Sequence, residues 1–522
     1  MTDEELSHVI INTYELKEWY VLKDRIGHRV RYIIPPIPQP PKELPDLNEE
    51  GFLSGANALS KDFIDSVLKI IDETKIKEKV NIILYENPPY AETTSIEFQK
   101  RNQGKEQSDW KNSYVVKEMK KDVKGPASND MGNAFIWSGF KYFLKDINDS
   151  YVIFSPAKYW KAQHLINKKF IDGYACNRSF FHAPTPACIM LCLWSNEDEI
   201  IDEIEINAIN LDEHEGFIDE GFIKVKRIYS LFSDRFYDNR TFDDDTFDGI
   251  VCELDGTESF KEESQIRLNK NYNSNILGYL VAQASGFDNN RLLSSFHISG
   301  RYNANGFYLR NDSFIDKIPI FVASRYSDHY NDWKIMSMIM KSADMADKYY
   351  EDIKNGKLNN FLCKCLIWVS LSHYPHMRSL KGSDNRLYIN QICFDGDDTL
   401  ASIKLKEFIL NGYILTPEEE DLMRDWNTII TRVKTKYQNG KYKYPYNEQL
   451  KQGYNPKFKY GLYQIDEEIN YKIEGPLDRN GKPTMIYNDG DLNNLIKSFK
   501  NRLKKYYKDN LVNTLFEYEL LK

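Results

Sequence analysis

The sequence lacks several features that would assign it to a class at once. No apolar run approaches the ~20 residues that a membrane-spanning helix needs. No Cys-x-x-Cys pair marks a zinc ribbon, and no Gly-x-x-x-x-Gly-Lys-[Ser/Thr] loop marks a nucleotide-driven motor. The seven cysteines are dispersed, which is typical of free thiols in a reducing compartment. The sequence therefore predicts a cytoplasmic protein without a membrane helix.

An excess of positive charge is also missing. The chain has 69 Lys and Arg against 78 Asp and Glu, for a net charge of −9. This balance excludes a histone-like polycation but leaves room for a local basic groove that contacts phosphates. The 522 residues, 41% of them hydrophobic, exceed the ~250–300 at which a single core stops growing. We expect a folded protein with more than one domain.

The first part of the chain alternates strand and helix patterns. Strands are predicted at residues 8–14, 30–34, 80–85, 151–154 and 187–194, and helices at residues 15–25, 60–74, 133–145 and 156–170. This alternation predicts an α/β domain with a parallel sheet covered on both faces. A dense acidic run follows Trp194 and indicates a boundary. The predicted domains are 1–195 and a mixed α+β region at 196–522.

The most informative motif is Asn87-Pro88-Pro89-Tyr90, directly after a predicted buried strand. The prolines fix φ and remove two N–H donors, so the stretch is stiff and presents carbonyl oxygens. The side-chain oxygen of Asn87 and the carbonyl of Pro88 form two adjacent acceptors, which suit an –NH₂ group, and Tyr90 adds a flat ring. The motif predicts a site for adenine or cytosine at the end of a strand. The alternative is a rigid turn that ends the strand.

A family resemblance extends past this motif. The segment NAFIWSGFKYFLKDINDSYVIFSPAKYWKAQHLINKKF (133–170), with Ser155-Pro156 after its strand, and Phe180-Phe181 before the strand ACIMLCLW, is similar to the adenine-N6 branch of the amino-group DNA methyltransferases. In that family an aromatic residue just before the last of these strands packs against the flipped-out base. By position Phe181 is the counterpart, with Phe180 the second choice.

The resemblance implies a fold, an activity and a cofactor. It implies a Rossmann-like methyltransferase domain that transfers a methyl group from S-adenosylmethionine to the N6 amine of a flipped-out adenine. The substrate is double-stranded DNA at a specific site, within a restriction-modification system. The catalytic set is Asn87, Pro88, Pro89, Tyr90 and Phe181, and the transfer needs no metal.

The resemblance also implies residues that hold the cofactor. An acidic residue after the family's second strand binds the ribose, and Glu15 stands at that place, with Glu18 as the alternative. In a third cofactor motif a polar side chain meets the adenine of the cofactor, and Asn57 occupies its position where the family often has Asp. The plainer interpretations are a solvated carboxylate at a helix start for Glu15 and a turn residue for Asn57.

One expected part of the cofactor site is missing. The family has a strand and a glycine-rich loop before the position of Glu15, but the first glycine of this chain is Gly27. Three explanations stay open: a misplaced start or interrupted gene, an upstream partner chain that supplies the loop, or degraded cofactor binding. Without its first strand, the lone chain is expected to expose an unpaired sheet edge.

DNA contact is predicted in the second region. Residues 424–460 are rich in basic side chains interleaved with tyrosines, and the candidates are Lys434, Lys436, Lys441 and Lys443. The alternative is compositional, since the whole chain is rich in Lys, Asn, Ile and Tyr. The alternative function is a non-catalytic or partner-dependent DNA-recognition fragment. A third hypothesis is a methyltransferase for RNA or for a protein glutamine amide.

Overall fold

The computed structural model describes two compact units. The described residues are 1–13, 16–34, 57–78, 80–88, 109–181, 187–212, 216–237, 276–281, 295–297, 306–310, 312–330, 332–335, 338–373, 390–437 and 459–522. The units are Met1–Arg227 and Ile228–Lys522. Among the described residues, no helix combines the length and the apolar character needed to cross a membrane.

The first unit begins with a small parallel strand pair. Helix α1 (Asp3–Leu6) leads into strand β1 (Ile10–Ile11), and helix α2 (Leu16–Ile26) leads into strand β2 (Tyr32–Ile33). β1 and β2 pair in parallel, with Ile10 opposite Tyr32. A helix between two parallel strands forms a βαβ unit, which matches the alternation predicted for this part of the chain.

Helix α3 (Lys61–Glu78) builds the core beneath these strands. The Ser60 hydroxyl caps it by accepting from the Phe63 amide at 3.2 Å. Phe63, Ile64 and Ile71 are buried on one face, as the helical spacing predicts. At the other end of the helix, Lys75 Nζ lies 2.8 Å from a carboxylate oxygen of the fully buried Asp149.

A six-stranded mixed sheet forms the centre of the first unit. In chain order its strands are β3 (Ile83–Glu86), β4 (Ser150–Ser155), β5 (Lys168–Asn177), β6 (Cys188–Asp198), β7 (Glu203–Asp212) and β8 (Gly216–Lys226). Their spatial order is β3-β4-β6-β5-β7-β8. The pairs β3–β4 and β5–β7 are parallel, whereas β6 and β8 run antiparallel to their neighbours. Four strands therefore share one direction.

The two faces of this sheet differ in burial. One face carries fully buried side chains, including Tyr151, Ile153 and Trp194. Trp194 stacks on Trp160 of helix α6 (Lys158–Lys161), and Leu84 packs in one cluster with residues of helix α4 (Tyr114–Asp122) and helix α5 (Met131–Ser138). On the other face Ile83 is 70% exposed and Tyr85 62% exposed. The described residues thus bury one face fully and leave the second partly open.

The α/β class is confirmed, but three details of the sequence prediction differ. The helix predicted at 156–170 is only one turn long, and β5 begins within that range. The sheet is mixed rather than parallel, because the short connection from β5 to β6 makes a hairpin-like antiparallel return. The first unit ends at Arg227 rather than at residue 195, because β7 and β8 continue the same sheet.

The second unit is mainly helical around one large apolar core. Its helices are α7 (Phe232–Arg235), α8 (Phe314–Ser324), α9 (Ala346–Lys354), α10 (Asn359–Leu371), α11 (Leu400–Leu410), α12 (Pro417–Tyr437), α13 (Leu462–Gln464), α14 (Gly490–Asn510) and α15 (Val512–Glu517). A three-stranded sheet of β9 (Ile276–Val281), β10 (Ser295–His297) and β11 (Gly306–Arg310) and a hairpin of β12 (Lys472–Leu477) and β13 (Pro483–Tyr487) complete it. The mixed α+β character expected of this region is present.

Candidate functional site

The candidate site lies where three strands of the first unit end. β3, β4 and β5 run in the same direction, so their carboxyl ends meet at one edge of the sheet. Asn87 follows β3, Pro156 follows β4, and Phe181 ends a single helical turn after β5. We call this edge the carboxyl edge. Ligands of α/β sheets bind outside such an edge, and the structure brings these three sequence-predicted positions to it.

Asn87 and Pro88 differ in exposure. Asn87 is exposed at the end of β3, whereas Pro88 is buried. The proline ring fixes the backbone φ of Pro88, so the chain is stiff directly after Asn87. Pro89 and Tyr90 lie outside the described residues, so the aromatic half of the motif stays a prediction.

Glu86 precedes the motif and is held by a neighbouring strand. Its carboxylate accepts a hydrogen bond from the hydroxyl of Tyr151 on β4. Burial raises the pKa of Glu86 to about 7, an effect that the Tyr151 hydrogen bond partly opposes. A group that titrates near neutral pH therefore stands one residue before Asn87.

A polar cluster after β4 is a feature that the sequence analysis missed. Lys158 Nζ lies 3.2 Å from Asp130 Oδ1, and Gln163 Nε2 donates to Asp130 Oδ2 at 2.7 Å. The side-chain nitrogen Nδ2 of the fully buried Asn133 donates to Oε1 of Gln163 and, at 2.8 Å, to the carbonyl of Ala127. The members come from separate parts of the chain, so no local motif revealed them. The cluster fixes the loop that follows β4.

Phe181 stands on the turn that joins β5 to β6. Asn177 Oδ1 accepts from the Ser179 amide at 3.1 Å, and the Arg178 amide donates to the Ala187 carbonyl at 2.7 Å. These bonds pin both ends of the turn. Two strands, β4 and β6, lie between β3 and β5, so Asn87 and Phe181 follow strands that are three strand spacings, roughly 14 Å, apart.

Two of the candidate cofactor residues, Asn57 and Glu18, make hydrogen bonds within the chain. Asn57 Oδ1 accepts from the Leu59 amide at 3.0 Å, and the Asn57 carbonyl accepts from the Ser60 amide at 2.9 Å. Its side-chain oxygen therefore serves the turn before α3. Glu15 lies outside the described residues, and the alternative Glu18 accepts from the hydroxyl of Thr13.

The basic candidates in the second unit are held in ion pairs. Lys434 Nζ lies 2.6 Å from Asp395 and Lys436 Nζ lies 2.9 Å from Asp489, and both carboxylates are buried. Arg432 makes a two-pronged contact with Asp489, at 3.0 Å from Nε and 2.8 Å from Nη2. These contacts hold the pKa of Asp489 well below its usual range. Lys441 and Lys443 lie outside the described residues.

A shallow, open groove of about 790 Å³ nevertheless follows the exposed side of α12. The groove-lining residues are Arg424, Asn427, Thr428, Thr431, Arg432, Thr435 and Lys436. Their spacing of three or four residues places them on one face of the helix. Hydroxyl, amide and cationic side chains are the groups that contact phosphates in protein–DNA complexes. We call this feature the α12 groove.

Within the described residues, no group of three His, Cys, Asp or Glu side chains is placed to hold a metal ion. Comparisons with known proteins give no further identification. The chain matches no protein-family model, no curated protein and no solved structure.

Proposed function

We propose that this chain is the base-binding and DNA-binding part of a site-specific adenine-N6 DNA methyltransferase. One observation carries the proposal: the ends of β3, β4 and β5 bring Asn87, Pro156 and Phe181 to one carboxyl edge. A sequence motif with two acceptors for an exocyclic amine thus shares one edge of the sheet with the position of Phe181. S-adenosylmethionine is the methyl donor that the family resemblance implies.

Asn87 and Pro88 are the residues that would hold the adenine amine. Asn87 is exposed at the strand end, and the buried Pro88 stiffens the chain behind it. Oxygen acceptors aimed at the two N6 protons orient the amine and keep its lone pair on nitrogen. Orientation of this kind accounts for a large part of the rate enhancement in transfers that need no covalent enzyme intermediate.

The strand pairing supports a Rossmann-like arrangement. A doubly wound sheet has the order 3-2-1-4-5 over its first five strands. The parallel pair β1–β2 corresponds to strands 2 and 3, and the parallel pair β3–β4 to strands 4 and 5. The structure describes the two pairs in separate sheets, and their correspondence to parts of one doubly wound sheet belongs to the proposal.

The second unit is proposed to contact the duplex through the α12 groove. Arg424, Thr428 and Thr431 lie along it with Arg432 and Lys436. Since most protein–DNA hydrogen bonds go to phosphates and sugars, such a surface fixes position on DNA rather than reading bases. Its contribution is expected to weaken as salt concentration rises.

The test is methylation of DNA from a host that lacks N6-methyladenine. The chain is incubated with that DNA and S-adenosylmethionine, and nucleosides are analysed by mass spectrometry. Asn87→Ala should reduce N6-methyladenine formation by about 100-fold or more, while DNA binding stays within about twofold of the unsubstituted chain. Asn129→Ala, a change at another asparagine of the first unit, is the control. A folded chain that binds S-adenosylmethionine by calorimetry yet leaves adenine unmethylated contradicts the proposal.

The second candidate is a DNA-recognition subunit without catalytic activity of its own. The side-chain oxygen of Asn57 favours it, because that oxygen already accepts a hydrogen bond within the turn before α3. In this case calorimetry detects no S-adenosylmethionine binding, while salt-dependent DNA binding remains.

A further inference from the structure

A carboxyl group one residue before Asn87 has no part in the proposed transfer. Glu86 is the last residue of β3 and lies opposite Ile153 of β4. Alternate residues of a strand point to the same side of a sheet, so Glu86 shares the buried face with Ile153 and Tyr151, which are both 0% exposed. The Tyr151 hydroxyl donates a hydrogen bond to the Glu86 carboxylate. The side chain of Glu86 therefore ties the end of β3 to β4.

Apolar groups surround this tie. The helical turn Gly139–Phe143 closes over the two strands so tightly that a Cβ on its glycine would lie 2.9 Å from side-chain carbons of both Leu84 and Tyr151. The Phe140 ring meets the Tyr151 ring edge-on, with 5.0 Å between the centroids. Burial disfavours the charged form of a carboxyl group, and it raises the pKa of Glu86 to about 7.

The charged and titratable side chains on the helical side are paired or exposed. Helix α5 carries none, and Lys117 and Lys120 of α4 are exposed. The others on α4 and on the turn pair with one another: Lys141 with Asp122, Tyr142 with Tyr114, and Lys121 with Glu118.

Within the sheet, other titratable groups are neutral or paired away from Glu86. Cys192 of β6 lies one strand beyond β4 on the same face, and burial raises the pKa of its thiol, which stays neutral. At the other end of β3, Asp149 pairs with Lys75. Among the described residues, Tyr151 is thus the titratable side chain that contacts the Glu86 carboxyl.

Loss of the proton changes what the end of β3 requires. The neutral carboxyl suits its apolar surroundings, whereas an ionised carboxylate has about four acceptor sites. Its one hydrogen-bond partner within the described part of the chain is the Tyr151 hydroxyl. Water is needed for the remaining sites, so the strand end is drawn away from β4 toward solvent. Asn87 is the next residue, and the fixed φ of Pro88 leaves the chain little freedom to absorb the displacement.

We propose that Glu86 is a positioning residue of the base site: its protonated carboxyl holds the end of β3 against Tyr151 with Asn87 in the geometry for transfer, and its ionisation releases both. This inference rests on the proposed function, because Asn87 is the residue that would hold the adenine amine. Transfer is expected to slow through kcat as the pH rises past about 7, since Asn87 acts in the transfer step rather than in contacts to phosphates.

Hydrogen exchange of the full chain tests the release without any transfer reaction. The Ser150 amide donates to the Ile82 carbonyl, so the backbone groups of Leu84 and Glu86, on alternate positions, also face β4. From pH 6 to pH 8 the protection of the Glu86 amide, corrected for the intrinsic pH dependence of exchange, should fall about tenfold, while that of the Leu84 amide should stay constant. In Glu86→Gln the protection at this position should not change with pH.

Two further variants sharpen this test. Glu73→Gln, the same change at an exposed residue of α3, is the matched control and should keep the fall. Tyr151→Phe should move the fall to higher pH, because the hydrogen bond that it removes lowers the pKa of Glu86. Constant protection of the Glu86 amide in the parent chain, or a fall that persists in Glu86→Gln, overturns the proposal.

The effect on Asn87 is tested by the rate of methylation. With S-adenosylmethionine and DNA that lacks N6-methyladenine, kcat should fall about tenfold between pH 6 and pH 8, because the protonated fraction of a group with a pKa of about 7 falls by that factor. The KM for DNA should change by less than about twofold, and Glu86→Gln should make kcat independent of pH in this range. A kcat that falls equally in Glu86→Gln overturns the positioning role. Released exchange at Glu86 in a chain without transferase activity upholds the hold of Glu86 on β3 and contradicts the proposed function, so the two fail separately.

Discussion

The sequence predicts functional residues both at the carboxyl edge of the first unit and on helix α12 of the second. The structure gives these two sets of residues different surroundings. At the carboxyl edge, residues far apart in the chain converge where a motif predicted a site. On α12, the excess of basic residues in 424–460 predicts DNA contact by Lys434 and Lys436. In the structure these two lysines pair with Asp395 and Asp489, which lie outside that range. A motif after a strand has a position fixed by chain connectivity, whereas a local charge count omits partners that folding brings in.

The largest expected effect concerns the ion pairs beside α12. Asp489 is 2% exposed, pairs with Arg432 and Lys436, and caps α14 by accepting from the Leu492 amide at 3.1 Å. Asp489→Ala should lower the free energy of unfolding by about 3 kcal/mol, because a helix cap and a buried counter-ion are lost together. Urea denaturation measures this.

Asp491→Asn is the matched control for that change. Asp491 also contacts Arg432, at 3.1 Å, but is 80% exposed, so its loss should cost at most about 0.5 kcal/mol. Equal effects of the two substitutions would show that the buried pair has no structural role.

The next effect is a pH dependence at the carboxyl edge. Burial raises the pKa of Glu86 from 4.5 to about 7. Between pH 4.5 and about 7, the carboxyl of Glu86 is ionised in the unfolded chain but still protonated in the folded chain. The contribution of Glu86 to stability therefore falls as pH rises through this range. Glu86→Gln should remove roughly 2 kcal/mol of that fall, measured by urea denaturation from pH 4 to 8. Because the Tyr151 hydrogen bond lowers this pKa, Tyr151→Phe should move the fall to higher pH. Identical profiles for Glu86→Gln and the parent would refute the assignment.

A smaller effect separates structural from DNA-binding lysines. Lys434→Gln leaves the buried Asp395 with fewer partners and should cost about 1 kcal/mol of stability. The salt dependence of DNA binding should change little, because a lysine already paired with a carboxylate releases few counterions. Lys354→Gln, at an exposed position of α9, is the control and should leave stability unchanged. A salt slope reduced by about 1 on Lys434→Gln would instead support direct phosphate contact.

The smallest effect tests the turn before α3. Asn57→Ala removes the acceptor of the Leu59 amide and should destabilise the first unit by about 0.5–1 kcal/mol. Asn57→Asp keeps an acceptor and should restore stability, measured by thermal unfolding. If Asn57→Ala leaves stability unchanged but alters cofactor binding, the residue belongs to the cofactor site rather than to the turn.

The sequence predicted those parts of the fold in which local pattern and tertiary environment agree. The Ser60 cap and the apolar spacing of Phe63 and Ile71 predicted α3, and the apolar runs before Asn87 and after Ala187 predicted strands that the structure contains. The sequence does not predict β7, because the alternation of Glu203, Ile204, Glu205 and Ile206 belongs to a run whose acidic density indicates a boundary. In the structure Ile204 and Ile206 are buried.

The same reasoning explains what was missed at the site. The cluster of Asp130, Asn133, Lys158 and Gln163 consists of common polar residues whose contacts form only after α5 and α6 have packed together. The sequence does not single out Glu86, because the pKa of its carboxyl is raised by burial in the folded chain. Such properties belong to the folded neighbourhood rather than to the residue type.

The uncovered sheet face has a consequence for the life of the chain in a cell. A newly made chain that presents Ile83 and Tyr85 to water offers chaperones and proteases an apolar surface. Chains whose exposed apolar face is bound by another segment persist, and chains whose face stays exposed are degraded or aggregate. The abundance of the protein would then follow the supply of whatever covers that face, so that turnover keeps the two in proportion.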